Sequence, residues 1–180
     1  MGQQKLLLPV DGAPLAQRAV DLAVRELAIS ILVLGADGER VRAALRLPDT
    51  VRVVMNERHT EGLSSSLACG LAAMPARIDA ALVLLADQPE LPGSAIRAML
   101  AAAEGRSEAI LRASYDGVPG HPVLLRREVW QAVSALRGDA GARALAAERP
   151  EIVGAVALPG PAPRDVDTPE DYEQIVAPGG

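Results

Sequence analysis

The sequence predicts an α/β fold, a Rossmann-like and mostly parallel sheet with helices on both faces. Three observations carry that prediction. Short continuous apolar runs such as "ISILVL" (Ile29 to Leu34) alternate with segments of helical periodicity, the pattern of strands buried on both faces between amphipathic helices. Pro and Gly cluster at the apparent turns between those segments. Hydrophobic residues make up 49% of the chain while aromatics make up 2% and Phe is absent, so the core is built from Ala, Val, Leu and Ile.

Taken in order, Pro14 to Leu27 places Leu15, Ala19, Leu22, Ala23 and Leu27 at helical spacing. The run Ile29 to Leu34 reads as a strand stopped by Gly35. Gly38 to Arg46 reads as a helix and Val51 to Met55 as a second strand. Gly62 to Met74 is expected to be helical, with Leu67, Leu71 and Met74 on its apolar face; Asp79 to Ala86 is a third strand and Pro92 to Glu104 a helix. Ala109 to Ser114 and His121 to Leu125 flank "YDGVPG", whose Asp116-Gly117 is a hairpin turn signal. Helices follow over Arg127 to Leu136 and Ala140 to Glu148, then a strand over Ile152 to Leu158. Thr168, Pro169 and Asp171 open the last helix as N-cap, first helical residue and capping-box partner. The tail from Val176 to Gly180 is expected to fray.

A chain of 180 residues with neither repeat nor linker is expected to form one domain. A net charge of −5 and few aromatics argue against a nucleic-acid surface. The single cysteine, Cys69, rules out an intramolecular disulfide and fits a reducing compartment. No apolar run reaches the roughly 18 residues of a membrane span. The start is too short in apolar residues for a signal peptide, and Leu6 stands where a myristoylation motif needs Ser or Thr. A cytoplasmic protein is expected.

In open α/β sheets ligands bind beyond the carboxyl ends of the strands. The apolar run "AALVLLA" ends there on Asp87, held in a stiff loop by Pro89 and Pro92. Alternatives at this point are metal binding, ligand orientation or a turn cap. "EGLSSSLACGL" puts a glycine and three serines at a helix start, offering hydroxyls and N–H groups to a ligand or simply a cap. His121 in "GHPVLL" either touches a ligand or closes a turn. Lys5 is the only lysine among 18 basic residues, a compact ammonium where every other cation is a guanidinium. Asp165 and Asp167 precede the last helix, where they either favour its dipole or reach a metal held by Asp87. "RGDAGAR" carries two arginines fit for an anion. Together these residues suggest phosphate and magnesium chemistry.

The segments "MGQQKLLLPVDGAPL", "EGLSSSLACGLAAM", "VLLADQPEL", "GVPGHPVLL", "LRGDAGAR" and "DVDTPEDY" occur in that order. As a set they resemble the molybdenum cofactor cytidylyltransferases, MocA-like members of the MobA-like NTP transferases. The resemblance runs from residue 1 to about residue 173. It implies transfer of CMP from CTP to molybdopterin with release of pyrophosphate, Mg²⁺ as cofactor, and a molybdoenzyme as client of the product. It implies that Lys5 and Asp87 are catalytic, that Lys5, Glu61, Gly62, Ser64 and Ser65 face the nucleotide, and that Asp87 and Asp167 hold the metal. His121, Gly138, Asp139 and Arg143 fall on the acceptor side. That family begins with a strand and a loop of the form L-A-A-G-x-S-x-R before M-G-x-x-K. Met1 to Lys5 here match its end, so a chain lacking the first strand, with a gap in its sheet, is expected. A non-catalytic cofactor carrier or chaperone and a sugar-1-phosphate nucleotidyltransferase are the two alternatives.

Overall fold

The computed structural model describes residues 4–138 and 142–177. A two-residue hairpin of β1 (Pro9–Val10) and β2 (Ala13–Pro14) leads into α1 (Leu15–Glu26). There follow β3 (Ser30–Leu34), α2 (Gly38–Ala44), β4 (Val51–Met55), α3 (Leu63–Ala73), β5 (Ala80–Val83) and α4 (Gly93–Glu104). The second half holds β6 (Ile110–Tyr115), β7 (Val118–Arg126), α5 (Trp130–Ser134), α6 (Ala142–Glu148), β8 (Val153–Leu158) and α7 (Pro169–Val176). The expected strands and helices are all found, with ends shifted by a few residues. The third strand is shorter than "AALVLLA", closing at Val83. The segment Arg127 to Leu136 begins as a 3₁₀ turn, Arg127–Val129, before α5.

Two separate sheets carry these strands besides the small hairpin: a parallel pair β3–β4, and a four-stranded sheet in the order β5-β7-β6-β8. β7 is antiparallel to both β5 and β6, while β6 and β8 are parallel. Three strands of the larger sheet therefore share one direction and β7 alone opposes them. Its reversal follows from the Asp116-Gly117 turn, where both residues have positive φ, the conformation a tight hairpin needs.

Both faces are covered, which is why the strands are apolar without alternation. Leu111 and Leu124 face one core with Ile96 and Met99 of α4 and Leu22 of α1. Their neighbours Ile110 and Leu125 face the other, with Leu71 of α3, Trp130 and Val133 of α5 and Leu145 of α6. Ile96, Met99, Leu111 and Leu125 are each 0% exposed, and full burial of such a side chain contributes about 1.5–3 kcal/mol. A third cluster sets Ala16 and Val20 of α1 against Leu34 and Val41, with Leu6 and Leu7 packed on it. That last contact holds the amino-terminal segment at the carboxyl end of β3. Among the described residues no helix is long and apolar enough to cross a membrane.

Candidate active site

Three elements far apart in sequence meet beyond the carboxyl ends of the strands. Lys5 opens a 3₁₀ turn, Lys5–Leu7, pinned by Leu6 and Leu7. Its ammonium donates to Asp87 Oδ2 at 2.6 Å and to Asp167 Oδ1 at 2.7 Å. Partial burial opposes the charge on Lys5, but the hydrogen bonds and charges of Asp167 and Asp87 outweigh it and raise the pKa. The ammonium is thus fixed as a cation between two carboxylates.

Each carboxylate has its own support. The carbonyl of Asp87 accepts from the Val166 N–H at 3.0 Å, and Val166 is 0% exposed, packed with Val10, Leu15, Tyr172 and Ile175. Asp167 follows at once. Its N–H donates to Asp171 Oδ2 at 3.1 Å, and the same oxygen accepts from the Thr168 N–H at 2.8 Å. The Asp171 N–H donates back to Thr168 Oγ1, completing the capping box of α7. Tyr172 Oη donates to the Pro9 carbonyl at 2.6 Å. The cap therefore positions Asp167 as well as starting a helix.

The loop from Asn56 to Ser66 forms the second part. Gly62 takes φ +94° immediately before α3, a backbone state that only glycine adopts without strain. Gly138 donates to the Glu61 carbonyl at 3.2 Å, and its own carbonyl accepts from the N–H (3.1 Å) and the hydroxyl of Ser64. Ser65 Oγ donates to the carbonyls of Arg58 and Gly62, each at 2.8 Å, and accepts from Asn56 Nδ2. Ser64 and Ser65 are buried, so their hydroxyls brace the loop. Exposed Glu61 lies 3.7 Å from Arg58.

The third part is His121, at an irregularity in the β6–β7 pairing where the register jumps between Arg112 opposite Val123 and Ala113 opposite Gly120. A bulge of this kind re-aims side chains beside a site. Burial lowers the pKa of His121 against the opposing pull of Asp165 and Asp87, with Arg143 adding to the depression; the imidazole is neutral at pH 7. His121 thus lies within electrostatic reach of Asp87, Asp165 and Arg143. Gly138 is bonded to Glu61 and Ser64 of the Asn56–Ser66 loop, and Asp139 lies outside the described residues.

Two contributors escaped the sequence reading. Asn56 Nδ2 bridges Ser65 Oγ at 2.8 Å and Ser66 Oγ at 3.0 Å. The signal was there, a polar residue directly after a strand, the same signal that singled out Asp87. Gln88 donates to Asp165 Oδ1 at 2.8 Å and so separates the roles of the two acids. Asp165 is tied to Gln88, whereas Asp167 shares Lys5 with Asp87.

Among the described residues no group of three or more His, Cys, Asp or Glu side chains gathers as a metal cage. Asp87 and Asp167 do converge on one point, each with an oxygen within 2.7 Å of Lys5 Nζ. Two hard carboxylate oxygens are the kind of ligand that suits a small divalent cation.

Residues 1–153 match the family described as MobA-like NTP transferase domain. The chain belongs to that family. It is an enzyme of the nucleotidyltransferase type. It is 31% identical to nicotine blue oxidoreductase of Paenarthrobacter nicotinovorans, with 96% of this chain and 87% of that one covered. Identity to the molybdenum cofactor cytidylyltransferase of Escherichia coli is 24%, covering 96% and 86%. Among solved structures, Rv0371c of Mycobacterium tuberculosis in complex with manganese superposes with a TM-score of 0.84 at 29% identity, covering 96% of this chain and 90% of that one.

Proposed function

We propose that the enzyme transfers CMP from CTP to a molybdopterin-type acceptor, with Lys5, Asp87 and Asp167 at the reacting centre. The observation that carries this reading is the ammonium held between two carboxylates at the strand ends. The E. coli relative's name supports the choice of base and acceptor.

The chemistry joins two anions. An oxygen of the acceptor's terminal phosphate bonds to the α-phosphorus, the bond to the bridging oxygen breaks, and pyrophosphate leaves with that electron pair. Lys5 exchanges its carboxylate partners for triphosphate oxygens and offsets their charge. The exchange frees Asp87 and Asp167, which would hold Mg²⁺; that ion would supply further neutralisation of the phosphates. Glu61 and Gly62 line the nucleotide side of the site, and Ser64 and Ser65 shape the loop that carries them. On the acceptor side, Arg143 is exposed and attracts the acceptor phosphate, while neutral His121 offers it a hydrogen bond.

The test is calorimetric titration of CTP, with GTP for comparison, in the presence and absence of Mg²⁺, followed by pyrophosphate release with molybdopterin. Mg²⁺-dependent binding that prefers CTP, followed by pterin-dependent release, is expected. Pterin binding without nucleotide consumption would replace this reading with that of a carrier. Turnover with a sugar 1-phosphate and none with pterin would replace the acceptor.

A further inference from the structure

The chain is poor in aromatic rings, with one Trp, two Tyr, no Phe and two His, and most of these rings are committed. Trp130 is buried, and its indole N–H donates to the Leu125 carbonyl at 3.0 Å. Tyr115 is buried with its hydroxyl donating to the His121 carbonyl at 2.8 Å. Tyr172 packs beside Val10 and Leu15 and donates to the Pro9 carbonyl. His121 is half-buried at the irregularity of β7. The remaining ring, His59, is exposed.

Its place follows from β3 and β4. The Asn56 N–H donates to the Leu34 carbonyl at 2.7 Å and ties the loop after β4 to the end of β3. The His59 N–H donates to the Asn56 carbonyl at 3.3 Å, and the 3₁₀ turn His59–Glu61 begins there. This turn leans the imidazole on Gly35, the first residue after β3. A Cβ on Gly35 would stand 2.7 Å from His59 Cβ and 3.2 Å from its Cγ, so only a bare backbone admits the ring. The two halves of the candidate site lie on either side. Ala36, next to Gly35, accepts from Gln4, the neighbour of Lys5. The His59 carbonyl accepts from the Gly62 N–H at 3.4 Å. His59 therefore stands between the Lys5 cluster and the start of α3, at the carboxyl ends of β3 and β4.

A flat ring that leans on backbone at one side and stays exposed to solvent has the form of a stacking platform. Every nucleobase has a π-face, so stacking on an aromatic side chain needs no particular base. A ring already packed in place loses little freedom when a base covers it. Given the nucleotide site proposed above, we infer that His59 is the platform on which the nucleobase stacks, with Lys5 at the phosphate end of the same ligand. Stacking adds affinity for a nucleotide over a bare polyphosphate. Because it is indifferent to the base, the choice between cytosine and guanine belongs to other groups.

Calorimetric titration in the presence of Mg²⁺ tests this with CTP, GTP and inorganic tripolyphosphate, on the parent, His59→Ala and His59→Phe. His59→Ala is expected to weaken CTP and GTP by similar factors, about tenfold or more, and to leave tripolyphosphate unchanged. His59→Phe keeps a flat ring without the imidazole nitrogens and is expected to recover most of that loss. Because His59 is exposed, both variants should keep the circular dichroism and Tm of the parent. Unchanged affinity of His59→Ala for CTP would overturn the platform. So would an equal loss for tripolyphosphate, which would put His59 on the phosphates, or a loss that His59→Phe does not recover, which would put the ring nitrogens in its place. A parent that binds tripolyphosphate as tightly as CTP would overturn the platform and keep the phosphate site. A parent that binds none of the three would overturn the nucleotide reading itself, and the platform with it.

Discussion

Asp87 of the Lys5 cluster and Asn56 of the Asn56–Ser66 loop each follow a strand, yet the two regions satisfy their polar groups in opposite ways. In the first, one ammonium meets two carboxylates that lie 82 and 162 residues away in sequence. All three side chains retain access to water, at 30%, 21% and 64% exposure. Ion pairs that solvent reaches contribute little to stability, so Lys5 is able to exchange its partners at small cost, as the proposed function requires. In the loop, Ser64 and Ser65 are at 2% and 5% exposure, and their bonds close within the protein. Breaking one strands a buried polar group, at about 1–3 kcal/mol. Under the proposed function the cluster performs the chemistry and the loop holds the shape.

The largest expected effect tests the first half of that contrast. Asp87→Ala should lower the rate of pyrophosphate release by about 10²–10³-fold, the scale of losing one preorganised electrostatic group. Its circular dichroism and Tm should stay close to those of the parent, because the Val166 bond uses the Asp87 backbone. Near-parental turnover would remove Asp87 from the reacting centre.

Next comes Lys5→Arg. A guanidinium keeps the charge between Asp87 and Asp167 but replaces a compact ammonium with a wide planar fork. Activity is expected to fall by about 10–100-fold while Tm is held, and Lys5→Met should lose both activity and nucleotide affinity. If Lys5→Arg retained full activity in the same release assay, charge alone would suffice and the compactness of the lysine would have no role.

The loop gives a smaller and different effect. Asn56→Ala removes the bridge to Ser65 and Ser66, so stability should fall by about 1–3 kcal/mol. For a chain of this size Tm drops by about 2–4 °C per kcal/mol. KM for the nucleotide should rise while kcat changes little. A collapse of kcat at unchanged Tm would break the contrast between the two regions.

These expectations show what the sequence made legible. Val51 to Met55 was readable to the residue because a short apolar run between turn signals has one register. The capping box at Thr168 was readable because its chemistry lies within four residues. Asp87 stood out as a charge at the end of an apolar strand. By contrast, that Asp167 and not Asp165 joins Lys5 depends on Gln88 claiming Asp165, a tertiary contact that local pattern does not encode. The division of the strands into two sheets, and the place of β7 between β5 and β6, likewise depend on pairing over long distances. The serines were legible as a site but not as its brace, since burial of their hydroxyls depends on Asn56 and Gly138.

The smallest effect concerns His121, which stands between the two regions in character: titratable like the cluster, and half-buried where the loop serines are fully buried. Burial, assisted by Arg143, lowers its pKa despite Asp165 and Asp87. The unfolded chain therefore binds a proton at His121 more readily than the folded one. The resulting stability is complete above the ordinary histidine pKa of about 6.5 and is lost as pH falls through the depressed folded value. Other carboxylates also weaken the fold in acid, so the informative quantity is a difference between chains. Between about pH 8 and about pH 5.5, Tm should fall less in His121→Gln than in the parent, because glutamine has no proton to gain. An equal fall in both chains would show that His121 does not titrate across that range, and a larger fall in His121→Gln would reverse the sign. In the second case the acids, not burial, would govern the imidazole, and His121 would face the acceptor as a cation.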